Sequence, residues 1–180
     1  MNTIKSLNDF SFSESDYDFQ TMLTKKLDGL AGATFDQEII NEIILWKVNR
    51  YAELDDKTLT LLNSIQLEES ELNTDLTVEI LRNLLNTKGI RLPIASTILR
   101  FKNPKIYQII DQRAYRYLYG EELNLNAPTI KNIDSQIKVY IRYLRDLREM
   151  TLNTGWDFAM LDRILYSKDI QLNPELKIKY

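Results

Sequence analysis

Seven basic residues (Lys88, Arg91, Arg100, Lys102, Lys105, Arg113, Arg116) and a single acid, Asp111, fall between Lys88 and Arg116, so this window carries +6 in a chain whose net charge is −3. The remaining residues sum to −9. Asp111 follows Ile109-Ile110 and precedes Gln112-Arg113-Ala114-Tyr115-Arg116, an apolar approach to a helix start. An aspartate in that place has two readings. It can simply cap the helix by accepting hydrogen bonds from first-turn amides, which needs no function. Alternatively, those amides and Arg113 or Arg116 keep the carboxylate ionised and oriented. An oriented carboxylate can stabilise positive charge as it develops on a reacting group.

The chain contains no cysteine and no histidine. That excludes Cys-ligated zinc, iron–sulfur clusters, thiol nucleophiles, His-based triads, imidazole bases and any disulfide framework. Proton chemistry near neutral pH is left to carboxylates, lysines and tyrosines. The start of the chain, Met1-Asn2-Thr3-Ile4-Lys5-Ser6, lacks a basic region followed by an apolar core, and no apolar run approaches the roughly 18 residues that cross a bilayer. The expectation is a soluble, cytoplasmic protein without a membrane partner.

The elements that must position Asp111 read as helices throughout, from 3.6-residue periodicity and a wealth of Leu, Ile, Lys, Glu and Asn. The expected fold is all-α, at least seven helices over one domain of residues 1–180 with two small lobes and a polar arm at 1–14. A first helix runs from Ser15 or Asp16 to a break at Gly29-Leu30-Ala31-Gly32. Thr34-x-x-Gln37 has capping-box form before a second helix so broadly apolar (Phe35, Ile39, Ile40, Ile43, Ile44, Trp46) that a buried central place is expected. Asp55-Asp56 caps a third, and Thr74-Asp75 offers an N-cap for a fourth that carries Leu76, Ile80, Leu81, Leu84 and Leu85.

At Asn86-Thr87-Lys88-Gly89 that pattern stops, and another opens at once with Leu92-Pro93. This predicts two helices joined by a tight turn, the hairpin spanning about residues 76–101. Gly89 tolerates positive φ, and Pro93 lies where a missing N–H costs least. Lys102-Asn103-Pro104 breaks the helix, Gln112 to Tyr119 forms the next, and Gly120 ends it. After a polar loop at 121–130, a long helix from about Ser135 to Met150 carries a stripe of Lys138, Arg142 and Arg145, most simply a solvated face. A last helix is expected from about Asp157 to Tyr166.

Thr87-Lys88-Gly89-Ile90-Arg91-Leu92-Pro93-Ile94-Ala95 followed by Tyr107-Gln108-Ile109-Ile110-Asp111 resembles the helix-hairpin-helix of the base-excision DNA glycosylase superfamily, whose hairpin reads Leu-Pro-Gly-x-Gly-x-Lys-x-Ala and is followed by a linker, an apolar pair and Asp. The resemblance extends less specifically from Trp46-Lys47-x-x-Arg50 to the Asp162 region. It implies a helix-hairpin-helix glycosylase-like fold, duplex DNA as partner, and a catalytic role for Asp111. It also implies backbone and side-chain contacts to DNA from Thr87, Lys88, Gly89, Ile90 and Arg91, joined by Arg113 and Arg116. The family's nucleophilic lysine is replaced by Pro93, which removes lyase activity through that residue and leaves a monofunctional hydrolase. The second hairpin glycine has become Arg91. In the family the hairpin carbonyls hold a monovalent cation; here the arginine side chain can supply positive charge instead.

Three aromatics are candidates for a pocket: Trp46, Tyr107 and Tyr115, the last two being nearest to Asp111. A tryptophan ending an apolar helix belongs more often to a core than to a base-stacking platform, and Tyr115, Tyr117 and Tyr119 cannot all face one way on a helix. Three functions therefore stand: a glycosylase that flips a nucleotide and hydrolyses its base–sugar bond, a non-enzymatic module that grips duplex phosphates, and a helical protein-interaction adaptor.

Overall fold

The computed structural model describes residues 19–49 and 51–176, and every regular element among them is helical, eight α-helices without a strand. The arm expected over 1–14, the start of the first helix at Ser15 or Asp16, and Arg50 lie outside the described residues. The chain divides into two compact units, Met1–Tyr51 and Ala52–Tyr180.

In the first unit, α1 (Thr21–Asp28) and α2 (Gln37–Lys47) are tied by Trp46, whose Nε1 donates to Thr24 Oγ1 at 2.8 Å and whose ring meets Phe19 edge-on at 5.3 Å. Trp46 thus fastens one helix to the other. The cap of α2 is Asp36, which accepts from the Ile39 amide at 2.9 Å, rather than Thr34. The expectation of a buried α2 is overturned: it contains no buried residue, and Ile40, Ile44 and Leu45 are exposed. Among the described residues of this unit, the one eight-residue helix beside it offers too little surface to cover so broad an apolar face.

The second unit holds α3 (Asp56–Ser64), α4 (Thr74–Asn86), α5 (Leu92–Lys102), α6 (Gln112–Tyr119), α7 (Ile133–Thr154), a 3-10 turn at Phe158–Met160, and α8 (Leu161–Leu172). Short polar side chains set the starts: Asp55, Asn73, Asp111 and Asn132 each accept a first-turn amide proton. Asn73 therefore does the work expected of Thr74-Asp75. Asn132 starts α7 earlier than Ser135, and Gly155, at φ 70°, stops it later than Met150. The last helix also runs on to Leu172, beyond Tyr166.

The core of this unit gathers Ile80, Leu81 and Leu84 from α4, Leu92, Ala95 and Leu99 from α5, Tyr140, Tyr143 and Leu147 from α7, and Leu161 and Leu165 from α8. Leu84 and Leu99 are fully enclosed, so truncating either to alanine should cost about 2–5 kcal/mol. The hairpin between α4 and α5 spans residues 87–91. Gly89 adopts φ +87° with open space where a Cβ would stand, so backbone conformation alone demands glycine. Ile90 folds inward, 5% exposed, and its amide donates to the Thr87 carbonyl at 3.1 Å. Among the described residues, no helix is long and apolar enough to cross a membrane.

Candidate active site at the start of α6

The segment joining α5 to α6 is non-helical yet largely buried, so its backbone groups need partners other than helical ones. Side chains from α5, α7 and the segment itself provide them. Asn103, fully buried, donates to the carbonyls of Gln66 (2.7 Å) and Glu69 (3.0 Å) and accepts from the Lys105 amide. Gln108 donates to the Pro104 carbonyl and accepts from the Asp162 amide. Its own carbonyl accepts from the Tyr140 hydroxyl at 2.9 Å, the Ile109 carbonyl accepts from Tyr143 at 2.9 Å, and the Ile110 amide donates to Ser96 Oγ at 3.2 Å. The next residue is Asp111, which is thereby delivered from a pinned backbone rather than a loose loop.

Asp111 has extended backbone geometry, φ −128°, and caps α6 by accepting from the Ala114 amide at 2.7 Å. The capping reading is thus satisfied, and it does not exhaust the residue. The half-buried carboxyl also borders a cleft of about 170 Å³ lined with Ile109, Asp162, Arg163, Tyr166 and Ser167. Burial raises its pKa above the ordinary aspartate value; the amides of Ala114 and Arg113 and the Arg113 charge pull it down without offsetting burial, while the charge of Asp162 adds to the rise. The direction is opposite to that expected from helix-start amides and arginines alone. The arginines are engaged elsewhere.

Arg116 donates through Nε to Asp169 Oδ1 at 2.8 Å and through Nη2 to Oδ2 at 2.5 Å, and Arg113 Nη1 reaches Oδ2 at 3.2 Å. Asp169 is fully buried and the two arginine side chains, Arg116 and Arg113, are 10% and 15% exposed. Burial pushes the Asp169 carboxyl up, and hydrogen bonds from Arg116, Asn173 and Arg113 outweigh it, so the net shift is downward. Arg100 is likewise turned inward, with Nε 3.3 Å from Asp162 and Nη2 donating to the Ala159 carbonyl. Three of the seven cations in the basic window therefore serve two buried aspartates of α8.

Tyr107 and Tyr115 do not line the cleft. Tyr107 is 1% exposed and shares a 2.9 Å hydrogen bond with Thr77; Tyr115, 2% exposed, donates to Glu121 and packs at a tilt against Tyr119 with ring centroids 4.5 Å apart. The aromatic at the cleft is Tyr166, whose ring centroid lies 5.5 Å from the Arg113 guanidinium. Sequence reasoning missed Tyr166, Asp162 and Asp169. A signal existed: Asp162 and Asp169 stand seven apart, on the same face of α8 as Leu161 and Leu165, and carboxylates on a core-facing stripe call for cationic partners.

In the hairpin, Lys88, Gly89 and Arg91 are exposed, Ile90 is buried, and the Thr87 hydroxyl donates to the Asn83 carbonyl at 3.1 Å. Among the described residues, no group of three or more Asp or Glu side chains is arranged to hold a metal ion. Comparisons of this chain with protein-family models, with curated proteins and with solved structures find no match.

Proposed function

We propose that this chain is a DNA glycosylase-like, helix-hairpin-helix hydrolase that cleaves the N-glycosidic bond of a base flipped out of duplex DNA, with Asp111 as its one essential carboxylate. The observation that carries this reading is the position of Asp111: a half-buried carboxyl at a helix start, on a backbone fixed by Ser96, Tyr140 and Tyr143, opening onto a cleft beside an aromatic ring. A cavity of about 150 Å³ accommodates benzene, so a cleft of about 170 Å³ suits one aromatic ring. Tyr166 offers that ring a stacking wall.

The chemistry follows from the carboxylate. Water adds to C1′ while the C1′–N bond breaks, its electron pair leaving with the base; the water proton passes to Asp111, and the base takes a proton from solvent. The ionised form stabilises the positive charge on the sugar in between. A pKa raised by burial makes Asp111 a better base for water than an exposed aspartate. Pro93 stands where an amine nucleophile would be needed for a lyase, so no Schiff base forms there.

Oligonucleotide duplexes carrying uracil, alkylated, oxidised or mismatched bases, assayed for base release, test the proposal. Wild type should release at least one of these bases, and Asp111→Asn should slow release by about 10²-fold or more, the scale of losing one electrostatic stabiliser. Release by Asp111→Asn at the wild-type rate, or trapping of a covalent adduct by borohydride, would sink it. The consumption of Arg100, Arg113 and Arg116 by Asp162 and Asp169 favours a second reading, the adaptor. Absence of any duplex affinity at low ionic strength would select it.

A further inference from the structure

The inner side of α2 meets α1 through Trp46, whose Nε1 donates to Thr24 Oγ1 at 2.8 Å, and through Glu42, which accepts from Lys26 Nζ at 2.6 Å. These contacts turn the opposite side outward. Phe35, just before the helix, and Ile44 and Val48 are each more than half exposed, and Ile40 and Leu45 are exposed beside them. Among the described residues of this unit, Leu23 is the one that is buried. So extensive an apolar patch beside so small a core marks an interaction surface.

Charge selects the occupant. Asp36, Ile40, Ile44 and Lys47 follow one another at i, i+4, i+8 and i+11, and so share one side of the helix. That side has an acid at its start, a base at its end and isoleucines between. Asp36 Oδ1 accepts from the Ile39 amide, which leaves Oδ2 for a cation, and among the described residues neither Asp36 nor Lys47 forms an ion pair. Such a side is complementary to its own reverse. An antiparallel copy with Ile40 opposite Ile44 sets Asp36 beside Lys47, and twofold symmetry makes the same pair again. A parallel copy in register would set Lys47 against Lys47. A lipid surface fits less well, because helices that lie on membranes are rich in lysine and arginine. From Asp36 to Lys47 the acids are Asp36, Glu38 and Glu42, and Lys47 is the only base.

We propose that the exposed side of α2 seats a second copy of this chain, packed antiparallel so that Ile40 of each copy lies against Ile44 of the other, with an Asp36 to Lys47 ion pair at either end. The isoleucines supply the affinity by leaving water. The ion pairs, open to solvent, add little to it and set the direction instead. Two helix pairs joined in this way make a four-helix arrangement, which gives each short pair the covered side that it lacks alone. The inference is independent of hydrolysis by Asp111.

Sedimentation equilibrium of the full chain over a concentration series tests this, circular dichroism first showing that each variant keeps the wild-type helix content. Wild type should pass from monomer to dimer. Ile44→Glu should raise the dissociation constant by about 10²-fold or more, since each dimer loses two apolar anchors and gains two unpaired charges. Leu152→Glu, at an exposed position of α7, should leave it unchanged. Direction is read by cross-linking, for which the absence of native cysteine leaves a clean background. Under mild oxidation a mixture of Ile40→Cys and Ile44→Cys chains should give mainly the mixed disulfide, and each variant alone should give little. Wild type that stays monomeric throughout, or a dimer that Ile44→Glu leaves intact, overturns the proposal. Ile40→Cys joined chiefly to itself overturns the antiparallel arrangement. Phosphatidylcholine vesicles that bind a monomeric wild type and not Ile44→Glu would give the face to a lipid surface, which also overturns it. Base release that depends on Asp111 stands or falls separately.

Discussion

Arg116 grips Asp169 with two parallel hydrogen bonds, 2.8 Å from Nε and 2.5 Å from Nη2, and in doing so clamps α6 to α8. Arg113, one turn earlier on α6, closes on the same carboxylate at 3.2 Å. The geometry is the side-on pairing that planar guanidinium allows and ammonium does not. It also holds in place the two helices that face one another across the Asp111 cleft, with Asp111 at the start of one and Tyr166 on the other.

Asp169→Asn should therefore destabilise the fold by about 3–5 kcal/mol, because two nearly buried guanidinium groups lose their counter-charge. Urea unfolding, read by midpoint and slope, measures this. The Asp169 pKa is lowered in the folded state, so its stabilisation is present above the unfolded value of about 3.9 and is lost as pH falls through the folded value. Asp169→Asn should remove that part of the acid limb. A variant as stable as wild type at neutral pH would show the clamp to be dispensable.

Asp111 has the opposite sign. Its folded pKa is raised, so its ionisation weakens the fold as pH rises above the unfolded value, and the penalty is complete above the folded value. An asparagine side chain at this position would keep an oxygen for the Ala114 amide and carry no charge. Asp111→Asn should hence melt higher than wild type at neutral pH and match it in acid below the unfolded value of about 3.9, where both side chains are neutral. A lower melting temperature at neutral pH would mean that the carboxylate is a stabilising ion after all.

The two tyrosine environments predict a clean separation. Tyr107→Phe removes a buried hydroxyl that Thr77 shares at 2.9 Å, which should cost about 1–3 kcal/mol and leave base release per folded molecule unchanged. Tyr166→Ala removes a ring that is 42% exposed at the cleft. It should lower base release, mainly through KM, with little loss of stability. Loss of release from Tyr107→Phe at full folding, with Tyr166→Ala active, would relocate the pocket.

The features legible in the chain alone were those whose causes are local. A cap at Asp55 or Asp111 needs only an amide three residues on, the turn at Gly89 needs one residue at positive φ, and Gly120 ends α6 at φ 72° for the same reason. These set the order of the helices, the tight hairpin and Asp111 at a helix start. Periodicity likewise picked out Ile80, Leu81 and Leu84 as core-facing residues of α4. It also overreached on α2, because an apolar face states a need for burial and does not supply the surface that would cover it.

What the tertiary structure decided was every relationship between distant residues. The basic window looked like an open patch because summing charges ignores pairing; the partners of Arg113 and Arg116 stand more than fifty positions downstream and become neighbours only when α8 packs on α6. The same packing buried Asp162 and Asp169, put Tyr166 rather than Tyr107 or Tyr115 at the cleft, and reversed the direction of the Asp111 shift. A carboxylate's charge state depends on the water and ions around it, and that environment is assembled by side chains from α5, α7 and α8 that no local pattern connects.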